Sequence, residues 1–136
     1  KNQALNMKQL LFIAVLLVAY TTQAQKSLVS YNDGKQMIHH VYFTLKNPDS
    51  VQDKQLLKEG LQSLASIKEV KHLIIGEPAP TYDREVIASD WHISIVIYFD
   101  SVADQDAYQV DPVHQLFVAN YSHLWSKVVV YDILVD

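Results

Sequence analysis

A corner between two predicted helices decides how the C-terminal half of the chain folds, and its sequence is Tyr108-Gln109-Val110-Asp111-Pro112-Val113-His114. Proline has a fixed backbone torsion that suits the first position of a helix, so the spacing predicts a helix that begins at Pro112. His114 then lies in the first turn, where the helix dipole disfavours a cationic imidazole. A neutral imidazole beside the Tyr108 phenol is a candidate pair for proton transfer. The alternative is a buried histidine that packs against a tyrosine for purely structural reasons.

The segments on both sides of this corner alternate between strand and helix patterns. Apolar periodicity and capping signals predict strands at 37–46, 70–75, 91–99 and 127–135, and helices at 51–66, 101–110 and 112–125. The resulting order is β-α-β-β-α-α-β. This order is typical of an α+β, ferredoxin-like fold, in which a four-stranded antiparallel sheet carries its helices on one face.

The predicted sheet has two apolar faces, and the helices can cover one of them. The first strand offers the helices its alternate residues His39, Val41, Phe43 and Leu45. The other face is also strongly apolar and carries Tyr42, Val96, Tyr98, Val129, Tyr131, Ile133 and Val135. Because apolar patches of several hundred square ångströms usually mark interfaces, we expect a second copy of the chain to cover this face in a homodimer.

The N-terminus has the three parts of a secretory signal peptide. Lys8 belongs to a short basic region, residues 10–20 form an apolar run, and Thr21-Thr22-Gln23-Ala24 supplies the cleavage region. The apolar run is shorter than the ~20 residues that a membrane-spanning helix needs. We therefore expect residues 1–24 to be a signal peptide, with 1–6 as upstream residues, and the mature chain to be exported to the periplasm or secreted.

The mature chain has the size and charge of one globular domain. After a linker at 25–36, residues 37–136 are expected to form that domain. Removing residues 1–24 takes away two lysines and no acidic residue, which leaves 9 basic and 15 acidic side chains and a net charge of −6. The basic residues are scattered, so we expect neither nucleic acid nor, after signal cleavage, a membrane as a partner. The chain contains no cysteine, so its stability must come from an apolar core.

The sequence carries no clear signature of a metal or cofactor site, and we expect neither. Of the six histidines, His39 and His40 point to opposite faces of their strand, and no HxxxH spacing is present. Three others, His72, His92 and His123, are expected at the surface or at an interface. A haem would need an axial histidine that faces an open cleft, an alternative that the sequence leaves open. No phosphate-binding loop, dinucleotide fingerprint or serine nucleophile motif occurs.

Several motifs together resemble one family. They are His39 with Phe43-Thr44-Leu45-Lys46, Gly76 after the second strand, Phe99-Asp100-Ser101 after the third, the spacing Tyr108-x3-Pro112-x-His114-x2-Phe117, and Asp132 in the last strand. With these motifs, residues 37–135 resemble the stress-responsive A/B barrel (Dabb) domain of the dimeric α+β barrel superfamily. The C-terminal part is similar, without gaps, to a plant polyketide cyclase of this family. The resemblance implies a ferredoxin-like protomer that dimerises into an α+β barrel.

The resemblance also implies roles for individual side chains. The counterpart of His114 in the cyclase transfers the proton, and the counterpart of Tyr108 is its partner. The counterpart of Asp132 orients the histidine, and that of His39 lines the same cavity. The alternation of side chains along a strand agrees with these roles, because it places both Asp132 and His39 on the sheet face that the helices should cover. A carboxylate buried there needs a partner such as an imidazole. Two further side chains are expected to complete the pocket: Phe117 and Trp125.

Three hypotheses for function follow from these residues. The first is an exported homodimer that binds a small, partly apolar molecule in a pocket between helices and sheet. The second is a cofactor-independent lyase or cyclase, in which His114 acts as the general base on a small carbonyl compound and Tyr108 holds the developing enolate oxygen. The third is a non-catalytic, stress-related structural dimer. The polar cavity residues favour a pocket and export weighs against a copy of the plant reaction, so the binding hypothesis is preferred.

Overall fold

Four strands form one antiparallel sheet in the computed structural model, which describes residues 35–136. The strands are β1 (Met37–Leu45), β2 (His72–Gly76), β3 (Ile93–Phe99) and β4 (Trp125–Leu134). Their order in the sheet is β2-β3-β1-β4, and each neighbouring pair is antiparallel. The predicted ferredoxin-like α+β fold is therefore confirmed. The predicted signal peptide and residues 25–34 of the linker lie outside the described residues.

Three α-helices cover one face of this sheet, and each begins at a side-chain cap. They are α1 (Val51–Ser63), α2 (Val102–Val110) and α3 (Pro112–Tyr121), with single 3-10 turns after α1 and α3. Ser50 and Ser101 accept hydrogen bonds from backbone N–H groups in the first turns of α1 and α2, each at 3.1 Å. Asp111 accepts one from the Val113 N–H at 2.7 Å, so α3 begins at Pro112 as predicted. No helix in the described part of the chain combines the length and apolar character that crossing a membrane requires.

Two predicted boundaries shift by a few residues. α3 ends at Tyr121, a 3-10 turn follows, and β4 begins at Trp125, two residues earlier than its pattern suggests. β3 begins at Ile93 rather than at Trp91. The Trp91 ring packs 5.0 Å from the ring of Tyr42, on the sheet face away from the helices. Trp91 therefore belongs to the loop before β3 and does not join the buried face of that strand.

The core lies between the helices and alternate residues of β1 and β3. Burial alternates along the whole of β1, so the residues predicted to face the helices are buried and their neighbours are half-buried. Residues of β3 on the same face are at most 1% exposed: Ile93, Ile95, Ile97 and Phe99. α1 contributes Leu57 and Leu61 to this core, and α3 contributes Phe117. Burial of each such side chain contributes roughly 1.5–3 kcal/mol, which fixes the helices on this face.

The opposite face of the sheet, called the open face below, has no helix over it in the described residues. The strand register places apolar or aromatic side chains on it at Ile38, Tyr42, Ile74, Val96, Tyr98, Val129, Tyr131 and Ile133. Tyr131 and Ile133 are 61% and 56% exposed. β4 is also accessible on its helix side, where Val128 and Val130 are 39% and 46% exposed, because the helices do not extend over this edge strand.

Candidate functional site

A cavity of about 140 Å³ lies between the helices and the sheet. Its wall is mostly aliphatic and aromatic, with side chains from β1, β3, β4 and all three helices. Five of the six residues predicted for the site line this cavity: His39, Tyr108, His114, Phe117 and Trp125. The sixth, Asp132, contacts His39 from β4. The fold thus brings the predicted residues into one region of the molecule.

The corner between α2 and α3 brings Tyr108 and His114 together. Their ring centroids are 4.5 Å apart, and the ring planes are tilted by 53°. Because α2 ends at Val110 and Asp111 caps α3, the Gln109 carbonyl at the end of α2 comes within reach of His114. The His114 Nδ1–H donates a hydrogen bond to that carbonyl oxygen at 3.2 Å, which leaves Nε2 as the proton acceptor of the ring.

His39 and Asp132 form a second polar pair at the cavity. The two residues lie directly opposite each other on β1 and β4. The His39 Nδ1–H donates a hydrogen bond to the Asp132 carboxylate at 2.6 Å. His39 is 5% exposed, whereas the Asp132 side chain is 43% exposed at the edge of the sheet. The carboxylate therefore lies between solvent and a buried imidazole, and its bond fixes the tautomer of that imidazole.

Two expectations about this cluster are wrong in detail. Asp132 pairs with His39 rather than with His114, because the register of β1 and β4 puts Asp132 directly opposite His39. Asp132 is also not buried under the helices, since its side chain is 43% exposed on the edge strand β4. Within residues 35–136, no hydrogen bond joins His114 to Tyr108, and the two rings pack against each other instead.

Burial sets the ionisation of both residues at the corner. Burial lowers the pKa of the His114 imidazole, the hydrogen bond to Gln109 opposes that shift, and the nearby His39 adds to it. Burial raises the pKa of the Tyr108 phenol well above its usual range. At neutral pH the cavity therefore presents an imidazole Nε2 that accepts a proton and a phenol O–H that donates one.

The lowered pKa of His114 predicts how the stability of the fold depends on pH. Below the usual histidine value of 6.5, the unfolded chain takes up a proton that the folded chain resists. The free energy of unfolding should therefore fall as the pH drops from about 7 through the folded-state pKa, and then level off. His114→Gln should remove this part of the loss in thermal denaturation between pH 7 and 5. His123→Gln, at an exposed histidine, is the control, and parallel curves for wild type and His114→Gln would contradict the prediction.

The other histidines lie outside this cavity. His92 accepts a hydrogen bond from the Leu45 backbone N–H at 2.9 Å, which ties the end of β1 to the loop before β3. The His72 ring packs against Tyr98, with the centroids 5.7 Å apart. No group of three metal-ligating side chains occurs within residues 35–136.

Sequence reasoning missed two parts of the cavity. Its aliphatic wall includes Leu61, Val128 and Val130, which look like ordinary core positions in a sequence. The hydrogen-bond acceptor for His114 is a backbone carbonyl, so the residue type at Gln109 gives no signal. The one available hint is Pro112, because a proline ends the preceding helix and leaves its last carbonyls without intrahelical partners.

A family model and several solved structures are similar to this chain. The model described as the Stress responsive A/B Barrel Domain (Dabb) matches residues 37–135. The hydroxynitrile lyase from Passiflora edulis is 20% identical with a TM-score of 0.65, and the match covers 76% of this chain and 95% of that one. A Dabb family protein with a ferredoxin-like fold from Mesorhizobium loti is 24% identical with a TM-score of 0.59, over 73% of this chain and 95% of that one.

A third similar structure bears on assembly. It is a dimeric ferredoxin-like protein from Thermobifida fusca, 20% identical with a TM-score of 0.61, over 76% of this chain and 93% of that one. At these identities the solved structures show a shared fold and nothing finer. A protein of this fold from Bacteroides fragilis is also described as dimeric. No curated protein matches the chain significantly in sequence.

Proposed function

This chain belongs to the stress-responsive A/B barrel domain family, and we propose that it works as a homodimer that binds a small, partly apolar molecule between helices and sheet. The observation that carries the proposal is the convergence of His39, Tyr108 and His114 on one cavity whose wall is otherwise mostly apolar. Binding sites for small molecules combine an apolar lining with a few placed polar groups in this way. A molecule with an apolar body and one carbonyl or hydroxyl group fits the pattern.

Blocking the cavity is expected to abolish binding of a small aromatic ketone. Val118 lines the cavity and is 41% exposed, so Val118→Phe should fill the space with little strain on the core. Acetophenone at tenfold excess over its dissociation constant should stabilise the wild type by about 1.4 kcal/mol. It should also quench the fluorescence of Trp125, which lines the same cavity. Thermal denaturation and tryptophan fluorescence measure the two effects.

The matched control is Val110→Phe, the same change at a residue that is 68% exposed and outside the cavity lining. This variant should bind acetophenone as the wild type does, whereas Val118→Phe should not. A wild type that acetophenone neither stabilises nor quenches would contradict the binding proposal. The third hypothesis, a non-catalytic stress-related dimer, would then account better for the chain.

Cofactor-independent lyase or cyclase chemistry on a small carbonyl compound is a second candidate function, favoured by the neutral imidazole at the helix corner. His114 Nε2 would accept a proton from the carbon next to the carbonyl group, and the Tyr108 O–H would donate a hydrogen bond to the developing enolate oxygen. Burial supports both roles, because it keeps the imidazole neutral and the phenol protonated. One protein of the same fold is a hydroxynitrile lyase, so lyase chemistry occurs on this fold.

The open face supports the homodimeric part of the proposal. Tyr131, Ile133 and Ile74 are 61%, 56% and 46% exposed on it, which is unfavourable for large apolar side chains in water. A stable interface buries about 800 Å² on each partner, an area that a four-stranded sheet face can supply. A second copy, packed face to face with the first, would cover these side chains.

Export is the remaining part of the proposal, and it rests on the sequence of residues 1–24. If this segment is a signal peptide cut after Ala24, the mature protein begins at Gln25 or at a neighbouring residue. N-terminal mass spectrometry of the protein recovered from outside the cytoplasm of its own host measures this directly. A product that still carries Met7 would contradict the proposal.

A further inference from the structure

We propose that His39, held by Asp132, is a second acid–base residue of the cavity. It exchanges a proton with an oxygen or nitrogen atom of the bound molecule while His114 acts on a carbon of that molecule. This inference rests on the catalytic form of the proposed function. It assigns His39 as a catalytic residue and Asp132 as a positioning residue.

His39 is a buried imidazole that the chemistry of Tyr108 and His114 leaves unused. Its Nδ1–H donates a hydrogen bond to Asp132, and the ring makes no other hydrogen bond within residues 35–136. In the same part of the chain, no buried side-chain nitrogen or oxygen is without a hydrogen-bond partner. The Nε2 atom of His39 is therefore not sealed in the apolar core, and His39 is one of the residues that line the cavity.

A purely structural role explains this pair poorly. His39 stands between Met37 and Val41 on the buried face of β1, where an apolar side chain would pack without any desolvation cost. The attraction within a buried ion pair is largely offset by the cost of removing both groups from water. The 43% exposure of Asp132 reduces that cost, because part of the carboxylate stays hydrated. The arrangement directs the Nδ1–H of a buried imidazole to the carboxylate and leaves its Nε2 without a hydrogen bond to any of residues 35–136.

The two imidazoles occupy different walls of the cavity. His39 lies on the sheet wall and His114 on the helix wall, and Tyr108 lies between them. The centroid of the Tyr108 ring is 6.0 Å from that of His39 and 4.5 Å from that of His114. The charged or titratable groups around His39 are therefore Asp132 from β4, Tyr108 from α2 and His114 from α3, with His40 next to it on the open face. Both imidazoles line the same cavity.

The hydrogen-bond partners of the two rings suit different roles. A carboxylate at Nδ1 stabilises the positive charge that an imidazole acquires when its Nε2 takes up a proton, as Asp132 can for His39. The Nδ1 of His114 faces a neutral carbonyl, so this ring lacks that support and starts as a neutral acceptor. His39 is thus the ring that can carry a proton to the bound molecule.

The reaction on a ketone or aldehyde balances with these two groups alone. His114 Nε2 takes the hydrogen from the carbon next to the carbonyl, and the electron pair of that C–H bond forms a carbon–carbon double bond. His39 enters this step protonated at both ring nitrogens, and the carbonyl oxygen takes its Nε2 proton, which gives an enol, a protonated His114 and a neutral His39. His114 then releases its proton to solvent and His39 takes up a proton from solvent, which restores both rings. The substrate class is a carbonyl compound with an acidic hydrogen on the adjacent carbon.

Ring opening of 1,2-benzisoxazoles tests this assignment without knowledge of the natural substrate. A base removes the hydrogen from the carbon of the C=N bond, that electron pair forms a nitrile, and the N–O bond breaks to leave a phenolate oxygen. An acid that protonates this oxygen matters most when the phenolate is a poor leaving group. Unsubstituted 1,2-benzisoxazole has the poorer leaving group, and its 5-nitro derivative has the better one. The ratio of the two ring-opening rates therefore measures how much protonation of the leaving oxygen assists the reaction.

Relative to wild type, Asp132→Asn and His39→Gln should each slow ring opening of the unsubstituted compound about tenfold more than ring opening of the nitro compound. The matched control is Asp106→Asn at an exposed position of α2, which should keep the wild-type ratio of rates. Circular dichroism verifies that each variant is folded. Partial unfolding would lower both rates equally and leave their ratio unchanged, so the ratio separates acid assistance from a structural role.

The possible outcomes separate this inference from the function on which it rests. An unchanged ratio in both Asp132→Asn and His39→Gln, with turnover by the wild type, overturns the role of His39 alone. Quenching of Trp125 by the benzisoxazoles without turnover by the wild type overturns the catalytic proposal and this inference, and leaves the binding proposal standing. Absence of both quenching and turnover contradicts the binding proposal, the catalytic proposal and this inference.

Discussion

Replacing Tyr131 with aspartate is expected to split the homodimer into folded monomers. Tyr131 is 61% exposed on the open face, and its ring packs edge-on against Tyr42 at 5.9 Å. In a face-to-face dimer the new carboxylate would be buried among apolar side chains without a partner, which costs about 3 kcal/mol. Both protomers carry the change, so the two carboxylates together cost about 6 kcal/mol and weaken association about 10⁴-fold. The protomer itself should fold normally, because the same position in a monomer is open to water.

Sedimentation at micromolar concentration measures the assembly of both proteins. The wild type should sediment as a dimer and Tyr131→Asp as a monomer with an unchanged circular dichroism spectrum. Tyr82→Asp is the matched control, since Tyr82 is 89% exposed in the loop between β2 and β3. A wild type that stays monomeric, or a Tyr131→Asp variant that stays dimeric, would rule out the open face as the interface.

The parts of the fold that the sequence predicted are those that local physics determines. Burial alternates along β1 because successive side chains of a strand point to opposite faces, and the apolar residues of this segment follow that period. Ser50, Ser101 and Asp111 start their helices because each side chain satisfies a backbone N–H in the first turn. The Tyr108–His114 corner is local in the same sense, since both residues flank one turn.

The parts that the sequence could not predict depend on long-range register and on backbone atoms. His39 and Asp132 are 93 residues apart in the chain, and they meet only because β1 and β4 pair in one register. Parity placed both residues on the helix side but could not choose between His39 and His114 as the partner of Asp132. The Gln109 carbonyl orients His114, but every residue has a backbone carbonyl, so the sequence gives no sign of this contact.

The exposed edge of the sheet explains why the site differs from the expected cluster. The alternation of side chains along a strand predicts which face a residue occupies but not whether that face is covered. β4 lies at the edge of the sheet, where Val128 and Val130 stay partly exposed to water. Asp132 therefore keeps contact with solvent while it pairs with a buried imidazole. The result is two separate polar pairs at one cavity, one on the sheet and one at the helix corner, instead of a single triad.

His114→Ala is expected to abolish proton abstraction from a bound ketone with little loss of stability. If His114 is the general base, the wild type should catalyse exchange of the acetophenone methyl hydrogens with deuterium in heavy water. Loss of a positioned general base lowers such a rate by about 10²–10⁴-fold. The imidazole is only half-buried and borders a cavity, so its removal should change the free energy of unfolding by less than about 1 kcal/mol. Proton NMR follows the exchange, and thermal denaturation follows the stability.

The control for this prediction is His123→Ala, which removes an exposed imidazole outside the cavity lining and should keep the wild-type exchange rate. Acetophenone should still quench Trp125 in His114→Ala, because the apolar wall that holds the ring of the ketone is intact. Binding without exchange would then separate the role of the wall from the role of the base. Exchange at the wild-type rate in His114→Ala would instead show that the base lies elsewhere, and the second acid–base group, His39, would be the next residue to replace.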